Sequence, residues 1–281
     1  MKIVGVDVGG TKIAAGLVDG DKIIRQTQVP TPNDRPQTEV VNAVIQAIEE
    51  VYDSGVKGIG IGVPGLVDLK EQRVIDVVNI PSWDSVPLAE MISDYFNKPV
   101  FVNNDANCFA LGEKYFGKGK PYANFVGLTL GTGLGAGIVI NNHLYSGRFC
   151  GAGEFGCFYY KDQTIEAYAS GQFLKDMGID GKLLYKRASL GDPVALKLFE
   201  TLGLHIGHAV ANILFALAPE AIIFGGSVSK SYKYFSDSML EFLEDNFPYR
   251  RLYNQLAIEV SDTEESGIYG ASSLVLDVVT P

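Results

Sequence analysis

Carboxylate and amide side chains follow apolar stretches at two places in this sequence, where they could handle a phosphate or a hydroxyl group. Asp7 precedes the glycines of GVDVGGTK, and VFVNNDAN (100–107) places Asn104 and Asp105 after an apolar run. A hydrated Mg²⁺ beside phosphates would satisfy the otherwise lone charge of Asp7, although hydrogen bonds alone could also hold it. Asp105 could accept the proton of an attacking hydroxyl while Asn104 orients the substrate. Equally, Asp105 could cap the following helix.

A second group of candidates lies in the glycine-rich segment 151–171, GAGEFGCFYYKDQTIEAYASG. Its Glu154 and Glu166 could bind sugar hydroxyls as a carboxylate pair, or they could be solvated, as glutamates usually are. Further on, His205 and His208 are three positions apart, but no neighbouring Cys or acidic residue completes a metal site. We therefore interpret these two histidines as structural.

One pattern occurs twice in the chain. Residues 5–18 are GVDVGGTKIAAGLV and residues 127–140 are GLTLGTGLGAGIVI, so an apolar strand, a glycine-rich turn and a small-residue strand follow one another in each copy. Asp19-Gly20 and Asn141-Asn142 then come at the same offset, and such dipeptides favour two-residue hairpins. Glycine turns present backbone N–H groups to anions, so the two copies predict a polyphosphate site. Taken alone, each turn could simply reverse the chain.

Neither glycine turn matches a common nucleotide-binding loop. Thr11-Lys12 has the reverse order of the Walker A motif, and a strand rather than a helix follows it. GTGLGAG has Ala136 in place of the last glycine of GxGxxG, again without a following helix. FGGS (224–227) ends an apolar strand and begins a helix, so it could contact a nucleotide or only reverse the chain.

The pattern of predicted strands and helices also repeats along the chain. Each half of the chain shows three strands, a helix, a strand and a helix, with extra helices in the second half. We therefore predict an α/β fold of duplicated βββαβα domains. The turn-forming segment 117–122 is the predicted boundary, which gives domains 1–117 and 118–281. The expected helices lie near 36–52, 87–97, 106–116, 165–176, 193–217, 230–246 and 265–277.

Composition excludes several classes of function. The 281 residues are 47% hydrophobic and 20% charged, which is typical of a globular protein with a substantial core. With 23 basic and 33 acidic residues the net charge is −10, which argues against nonspecific binding to nucleic acid or anionic membranes. The apolar N-terminus runs directly into the strand pattern and lacks signal-peptide features. Three scattered cysteines argue against a disulfide framework and favour a reducing, cytoplasmic setting.

Together these motifs resemble the ROK family (repressors, open reading frames and kinases) of the actin, hexokinase and sugar-kinase superfamily. The resemblance spans nearly the whole chain and rests on VDVGGTK, GIGVPG, VNNDAN, LTLGTGLGAGIV, GAGEFG, EAYASG and FGGS, in the family's order. It implies an actin-like ATPase (ribonuclease H-like) fold of two α/β lobes around a central cleft, with the last helix able to pack back on the N-terminal lobe. It also implies a homodimeric, ATP- and Mg²⁺-dependent sugar kinase of the glucokinase type.

The resemblance further implies roles for individual residues. Asp105 would be the catalytic base that deprotonates the sugar hydroxyl, and Asp7 would organise Mg²⁺ through water. The residues expected to bind the sugar are Gly65, Asn79, Asn104, Asp105, Glu154, Cys157 and Glu166. The residues expected to bind ATP are Asp7, Gly9, Gly10, Thr11, Lys12, Gly131, Thr132, Gly133, Gly225 and Gly226.

Departures from the family pattern lead to further expectations. Family kinases carry a histidine where this chain has Cys157, and a CxCGxxGC insert that is absent before Ile165-Glu166. Because the zinc ligands are missing, we predict no zinc site. Glucose is the leading substrate by family frequency, and the alternatives are fructose, mannose, an N-acetylated amino sugar, or noncatalytic sugar sensing. Family repressors carry an N-terminal winged helix, for which a first strand at residue 2 leaves no room, so we expect no nucleic-acid partner and no membrane partner.

Overall fold

The computed structural model describes residues 1–77 and 79–279, which form two compact units. Unit 1 contains Met1–Pro121, Gly137–Ala152 and Asp262–Pro281, and unit 2 contains Tyr122–Ala136 and Gly153–Ser261. The strands are β1 (Lys2–Val8), β2 (Lys12–Asp19), β3 (Lys22–Pro30), β4 (Ile59–Val63), β5 (Leu66–Asp68), β6 (Arg73–Ile75), β7 (Ser85–Val86), β8 (Val100–Asn104), β9 (Phe125–Leu130), β10 (Leu134–Ile140), β11 (His143–Leu144), β12 (Tyr159–Tyr160), β13 (Gln163–Thr164), β14 (Ala221–Gly225) and β15 (Ala257–Val260). The helices are α1 (Gln37–Val51), α2 (Leu88–Phe96), α3 (Asp105–Tyr115), α4 (Ile165–Ala169), α5 (Gly171–Asp176), α6 (Gly181–Ser189), α7 (Pro193–Leu217), α8 (Tyr232–Asn246), α9 (Arg250–Tyr253) and α10 (Ser266–Val279).

A five-stranded sheet with the order β3-β2-β1-β4-β8 forms the centre of unit 1. β1, β2 and β3 form the predicted antiparallel meander, whereas β1, β4 and β8 run parallel. Nearly every residue of β1, β2 and β4 is buried, as expected for strands covered by helices on both faces. α1 packs on β2 and β3, and the last helix, α10, packs on α3, β1 and β4.

Unit 1 also contains a small sheet that the sequence analysis did not anticipate. It consists of β5, β6 and β7 in antiparallel pairing. Each strand has two or three residues, and only one of them, Val67, Val74 or Val86, is fully buried. Such short segments contain too few alternations to give a readable strand period.

The second sheet has the order β11-β10-β9-β14-β15, in which β9, β14 and β15 run parallel. In unit 2 the long helix α7 packs on α8. Asp192 caps α7 by accepting hydrogen bonds from the backbone N–H groups of Val194 and Ala195, and Pro193 occupies the first turn. By length and composition alone α7 could cross a membrane, but 61% of its most apolar 18-residue window is buried inside the protein.

Two predicted elements of the second half differ in the structure. The helix expected over 165–176 is divided into two helices, because the backbone at Ser170 is extended. The Ser170 side chain caps the second helix, α5, by accepting a hydrogen bond from Gln172 N. The third strand of the second meander, β11, has only two residues. In between, β12 and β13 form a short hairpin directly before α4.

Candidate functional site

The first glycine turn, in unit 1, is held by its carbonyl groups. Gly9 N donates to Lys12 O at 2.8 Å and closes the turn between β1 and β2. The side chain of Asn33 donates to Gly10 O at 2.7 Å and anchors the middle of the turn. No described residue accepts a hydrogen bond from the backbone N–H of Gly10 or Thr11. These two donors are therefore available to an anion.

Asn79, a predicted sugar-binding residue, lies against this turn. A Cβ added to Gly10 would be 2.8 Å from the Cβ of Asn79, a distance that real Cβ atoms do not tolerate. Gly10 is thus required for the close approach rather than for an unusual backbone angle. The structure brings a predicted sugar residue and a predicted phosphate turn together.

Asp7 lies near the carboxyl end of β1, in register with Gly62 of β4. Its carboxylate packs against Gly267 at the start of α10. Burial raises the pKa of Asp7, the positive charge of Lys12 lowers it, and the negative charge of Glu265 raises it. The net direction is upward, so a cation beside this carboxylate would be favourable.

Asn104 caps α3, so the interpretation of Asp105 as the cap is wrong. The Oδ1 atom of Asn104 accepts from Ala106 N at 2.9 Å and from Asn107 N at 3.3 Å. Its Nδ2 atom donates to Gly65 O at 3.2 Å. This contact joins two predicted sugar-binding residues, Gly65 and Asn104, from different loops of unit 1.

Asp105 is exposed and occupies the first position of α3. One of its carboxylate oxygens accepts from Ala106 N at 2.8 Å. Because β1, β4 and β8 are parallel, with Asp7 beside Gly62 and Gly62 beside Asn103, their carboxyl ends lie along one edge of the sheet. Asp7 and Asp105 therefore lie at the same edge of the sheet.

Two buried asparagines to which the sequence analysis gave no role, Asn103 and Asn107, support this edge. Asn103 Oδ1 accepts from Asn104 N at 2.8 Å and from Asn107 Nδ2 at 2.9 Å. Asn103 Nδ2 lies 3.5 Å from the hydroxyl oxygen of Ser146. The only sequence signal for this role is the density of amide side chains in VNNDAN, because an apolar strand end needs internal partners for its polar groups.

The second glycine turn, in unit 2, has the same design as the first. Gly131 N donates to Gly133 O at 3.0 Å and closes the turn. The hydroxyl of Ser170 donates to Thr132 O at 2.8 Å and anchors its middle. No acceptor for the N–H of Thr132 or Gly133 is present in the part of the chain that the structure describes.

Glu166, Glu154 and Cys157 lie together beside this turn. Glu166 Oε2 accepts from the backbone N–H of Leu134 at 2.8 Å, which ties α4 to the start of β10. Cys157 Sγ lies 3.6 Å from Glu154 Oε2 and donates to it. Burial raises the pKa of the Cys157 thiol, and the charges of Glu154 and, more weakly, Glu166 raise it further. The thiol therefore stays protonated and can act as a donor.

The FGGS turn also belongs to this part of unit 2. Gly225 pairs with Thr129 across the parallel strands β14 and β9. Gly226 has a φ of +84°, and a Cβ there would lie 2.7 Å from the carbonyl carbon of Leu130. Only glycine fits, so the turn lies directly against the end of β9, which leads into the 131–133 turn.

Metal ligands are sparse in the described ranges 1–77 and 79–279, where no group of three or more His, Cys, Asp or Glu side chains could hold a metal ion. A Mg²⁺ ion that comes with a nucleotide needs few protein ligands, because phosphates and waters complete its octahedron. The partly buried Asp7 carboxylate, near the open N–H groups of the first turn, fits that limited role. The absence of zinc stays a prediction.

Comparison with known proteins gives consistent matches over the chain. The ROK family model matches residues 3–278. Glucokinase from Thermotoga maritima is 30% identical, with 98% of this chain and 97% of that protein covered. The xylose repressor of Bacillus subtilis is 31% identical, with 98% of this chain and 77% of the repressor covered.

Among solved structures, a ROK family glucokinase from Streptomyces griseus in complex with glucose and AMPPNP has a TM-score of 0.81 at 32% identity. The match covers 98% of this chain and 99% of the glucokinase. These similarities confirm the predicted α/β fold of the actin-like ATPase class and support sugar kinase activity.

Proposed function

This chain belongs to the ROK family, and we propose that it transfers the γ-phosphoryl group of ATP to a hydroxyl group of a hexose, with glucose as the preferred acceptor. The observation that carries the proposal is the arrangement of one sheet edge in unit 1. There Asp7 is the next-to-last residue of β1, Asp105 directly follows β8, and the Gly9–Lys12 turn follows β1. A carboxylate for a metal-bound nucleotide, a phosphate cradle and a base are the parts that phosphoryl transfer requires.

The proposed nucleotide contacts are mostly backbone groups. The backbone N–H groups of Gly10 and Thr11, and those of Thr132 and Gly133, are the donors that we propose for phosphate oxygens. Backbone donors cost little entropy because their turns are already held by side chains. Gly225-Gly226, which lies against the end of β9, would contact the adenosine.

Asp105 would take the proton from the attacking sugar hydroxyl. Its position at the start of α3 leaves the carboxylate exposed, as a base must be to reach the sugar hydroxyl. Asp7 would hold Mg²⁺ through water, and the ion, when bound, neutralises charge on the phosphates. Burial raises the pKa of Asp7 more than the charge of Lys12 lowers it, so a further cation beside this carboxylate would be favourable.

The residues proposed to bind the sugar have a remaining hydrogen-bonding capacity that can be counted. Asn104 Oδ1 already accepts two hydrogen bonds, whereas its amide nitrogen donates only one of its two hydrogens to Gly65. Asn104 can therefore donate to a hydroxyl but has no acceptor to spare. Glu154 and Glu166 would supply the acceptors. The Cys157 thiol already donates its one hydrogen to Glu154, so its sulfur could contribute only a weak acceptor.

Other members of the family motivate the remaining alternatives. Fructose, mannose and N-acetylated amino sugars present similar hydroxyl groups, and one contact changes discrimination by only about 1–3 kcal/mol. Similarity to a repressor leaves a noncatalytic sugar sensor as a second candidate. We further propose a cytoplasmic homodimer, as the resemblance implies.

The test is an assay of ADP release with ATP, Mg²⁺ and a panel of hexoses. We expect turnover with glucose, and a loss of about 10²- to 10⁴-fold in kcat for Asp105→Ala. The control is Asp180→Ala, which removes an exposed carboxylate at the N-terminus of α6, outside the site. Sugar binding without ADP release from any hexose would support the sensor instead, and wild-type turnover in Asp105→Ala would reject the base assignment.

A further inference from the structure

A cluster of aromatic and histidine side chains lies in unit 2, apart from the residues assigned above. It consists of Tyr160 from the β12–β13 hairpin, Tyr168 from α4, and His205 and His208 from α7, and we call it the Tyr160 cluster. The Tyr160 hydroxyl oxygen lies 3.1 Å from His205 Nδ1. Ring centroids are 5.5 Å apart for Tyr160 and Tyr168, and 5.2 Å apart for Tyr168 and His205.

The hydrogen bond at the centre of this cluster joins two neutral groups. His205 is only 6% exposed, and burial, with smaller effects of Lys161 and His208, lowers its pKa to about 4. Burial likewise raises the pKa of Tyr160. With the ring proton on Nε2, the Tyr160 hydroxyl donates to the bare Nδ1 atom. Lys161 also lies 4.7 Å above the Tyr168 ring, which adds a cation–π contact.

The Tyr160 cluster is connected to the candidate site through a short stretch of chain. Tyr160 comes three residues after Cys157, and Tyr168 comes two residues after Glu166. Between them, Ile165 N donates to the carbonyl of Phe158 at 2.9 Å and fixes the hairpin base to the start of α4. The segment that carries Glu166 therefore begins at Tyr160 and ends at Tyr168, and both of these rings pack against the histidines of α7.

Glu166 is the point at which this segment meets the second glycine turn. Its carboxylate accepts from Leu134 N at 2.8 Å, and it lies where a Cβ on Gly133 would be. This hydrogen bond persists only while α4 stays at its present short distance from β10. Since α4 has only five residues and packs on α7, its own backbone hydrogen bonds cannot fix that distance.

We propose that the Tyr160–His205 hydrogen bond positions the Glu166 carboxylate, so that Tyr160 and His205 are positioning residues for sugar binding. Without the bond, the hairpin and α4 shift on α7, and Glu166 spends part of its time away from Leu134. The kinetic consequence rests on the proposed function, whereas the consequence for the Leu134 amide does not.

The decisive variant is Tyr160→Phe, which removes one hydroxyl and keeps the ring. A net hydrogen bond of about 0.5–1.5 kcal/mol corresponds to a factor of about 2–12, so we expect the Leu134 amide to exchange its hydrogen faster by about that factor. The KM for the hexose should rise by a similar factor, with kcat changed less than about twofold. The matched control is Tyr253→Phe, which removes a hydroxyl bound to Leu240 O at 3.4 Å elsewhere in unit 2.

Two variants at His205 supply a second route should Tyr160→Phe fail to fold. His205→Asn keeps an acceptor near the Nδ1 position and should retain slow exchange at Leu134 and the wild-type KM. His205→Leu removes the acceptor and should reproduce fast exchange and a raised KM. Equal exchange in these two variants, or equal exchange in Tyr160→Phe and Tyr253→Phe, overturns the proposal. If the wild-type protein phosphorylates no hexose, the proposed function fails while the exchange result still decides this inference.

Discussion

Replacement of Asn104 by alanine should weaken both the fold and the activity, because one side chain serves a helix and a loop. Asn104 Oδ1 accepts from the N–H groups of Ala106 and Asn107, and its Nδ2 atom donates to the carbonyl of Gly65. Asn104→Ala removes the N-cap of α3, so that Asn107 N loses its acceptor and Ala106 N keeps only Asp105, and it removes this donor to the Gly65 carbonyl. Asp105, the first residue of α3, then loses its fixed position.

The size of the effect follows from the two lost contacts. Loss of a helix cap costs about 1 kcal/mol, and loss of a neutral hydrogen bond costs about 1 kcal/mol more. A total of about 2 kcal/mol should lower the melting temperature by about 4–8 °C in a chain of this size. A general base contributes at least about 10²-fold to the rate. If Asp105 is the base, its displacement should therefore also lower kcat, by at most about that factor.

The assay is calorimetric unfolding combined with steady-state ADP release, on three variants. Asn104→Asp keeps the cap oxygen but lacks the donor to Gly65, so its loss of stability should be about half that of Asn104→Ala. Asp180→Ala removes the cap of α6, where Asp180 Oδ1 accepts from Leu183 N at 2.8 Å, and should lower stability but not kcat. A melting temperature of Asn104→Ala within about 1 °C of wild type would refute the reasoning, as would an equal loss of kcat in Asp180→Ala.

Further predictions concern strain, pH and metal. A non-glycine residue in a left-handed backbone conformation costs roughly 1–3 kcal/mol. Gly226→Ala should lower the free energy of unfolding by more than that, because the added Cβ would also overlap with Leu130. The control in urea unfolding is Gly178→Ala, where φ is +69° and the surrounding space is open. Since the folded-state pKa of His205 is lowered from 6.5 to about 4, its contribution to stability is present above pH 6.5 and is lost as the pH falls towards about 4. His205→Leu should remove that part of the pH dependence in unfolding measured across this range. Asp7→Asn should raise the Mg²⁺ concentration needed for half-maximal turnover, and metal analysis of the wild-type protein should find less than one equivalent of zinc.

Sequence patterns predicted the long elements of this fold well, because the patterns extend over many residues. The helical spacing of Val40, Val44, Ile48 and Val51 reappears as the buried face of α1. The repeated strand–turn–strand pattern likewise reappears as β1–β2 and β9–β10. In both cases burial of an apolar face determines the element, and the period of the face is visible in the sequence.

Local geometry set by a single residue was predicted less well. The apolar pattern over 165–176 continues through the break at Ser170, yet Ser-Gly is a helix-start signal that could have indicated two helices. Asn104 and Asp105 are both good caps by residue type, and only the backbone angles of the junction decide which of them lies outside the helix. The bond from Leu134 to Glu166 joins residues far apart in sequence, and no local pattern carries that information.

Two site residues, Asn104 and Glu166, can serve the fold and the ligand at the same time. The sequence analysis assigned Asn104 and Glu166 to the sugar, with solvent exposure as the alternative for Glu166. The structure gives each of them a local hydrogen bond that uses only part of its capacity. What remains is one N–H on Asn104 and the second carboxylate oxygen of Glu166. Because the same side chain serves both purposes, truncation to alanine cannot separate them. Exchange of Asn for Asp or Glu for Gln alters the donors and acceptors while keeping the shape, so such variants can show which hydrogen bond serves the fold and which serves the ligand.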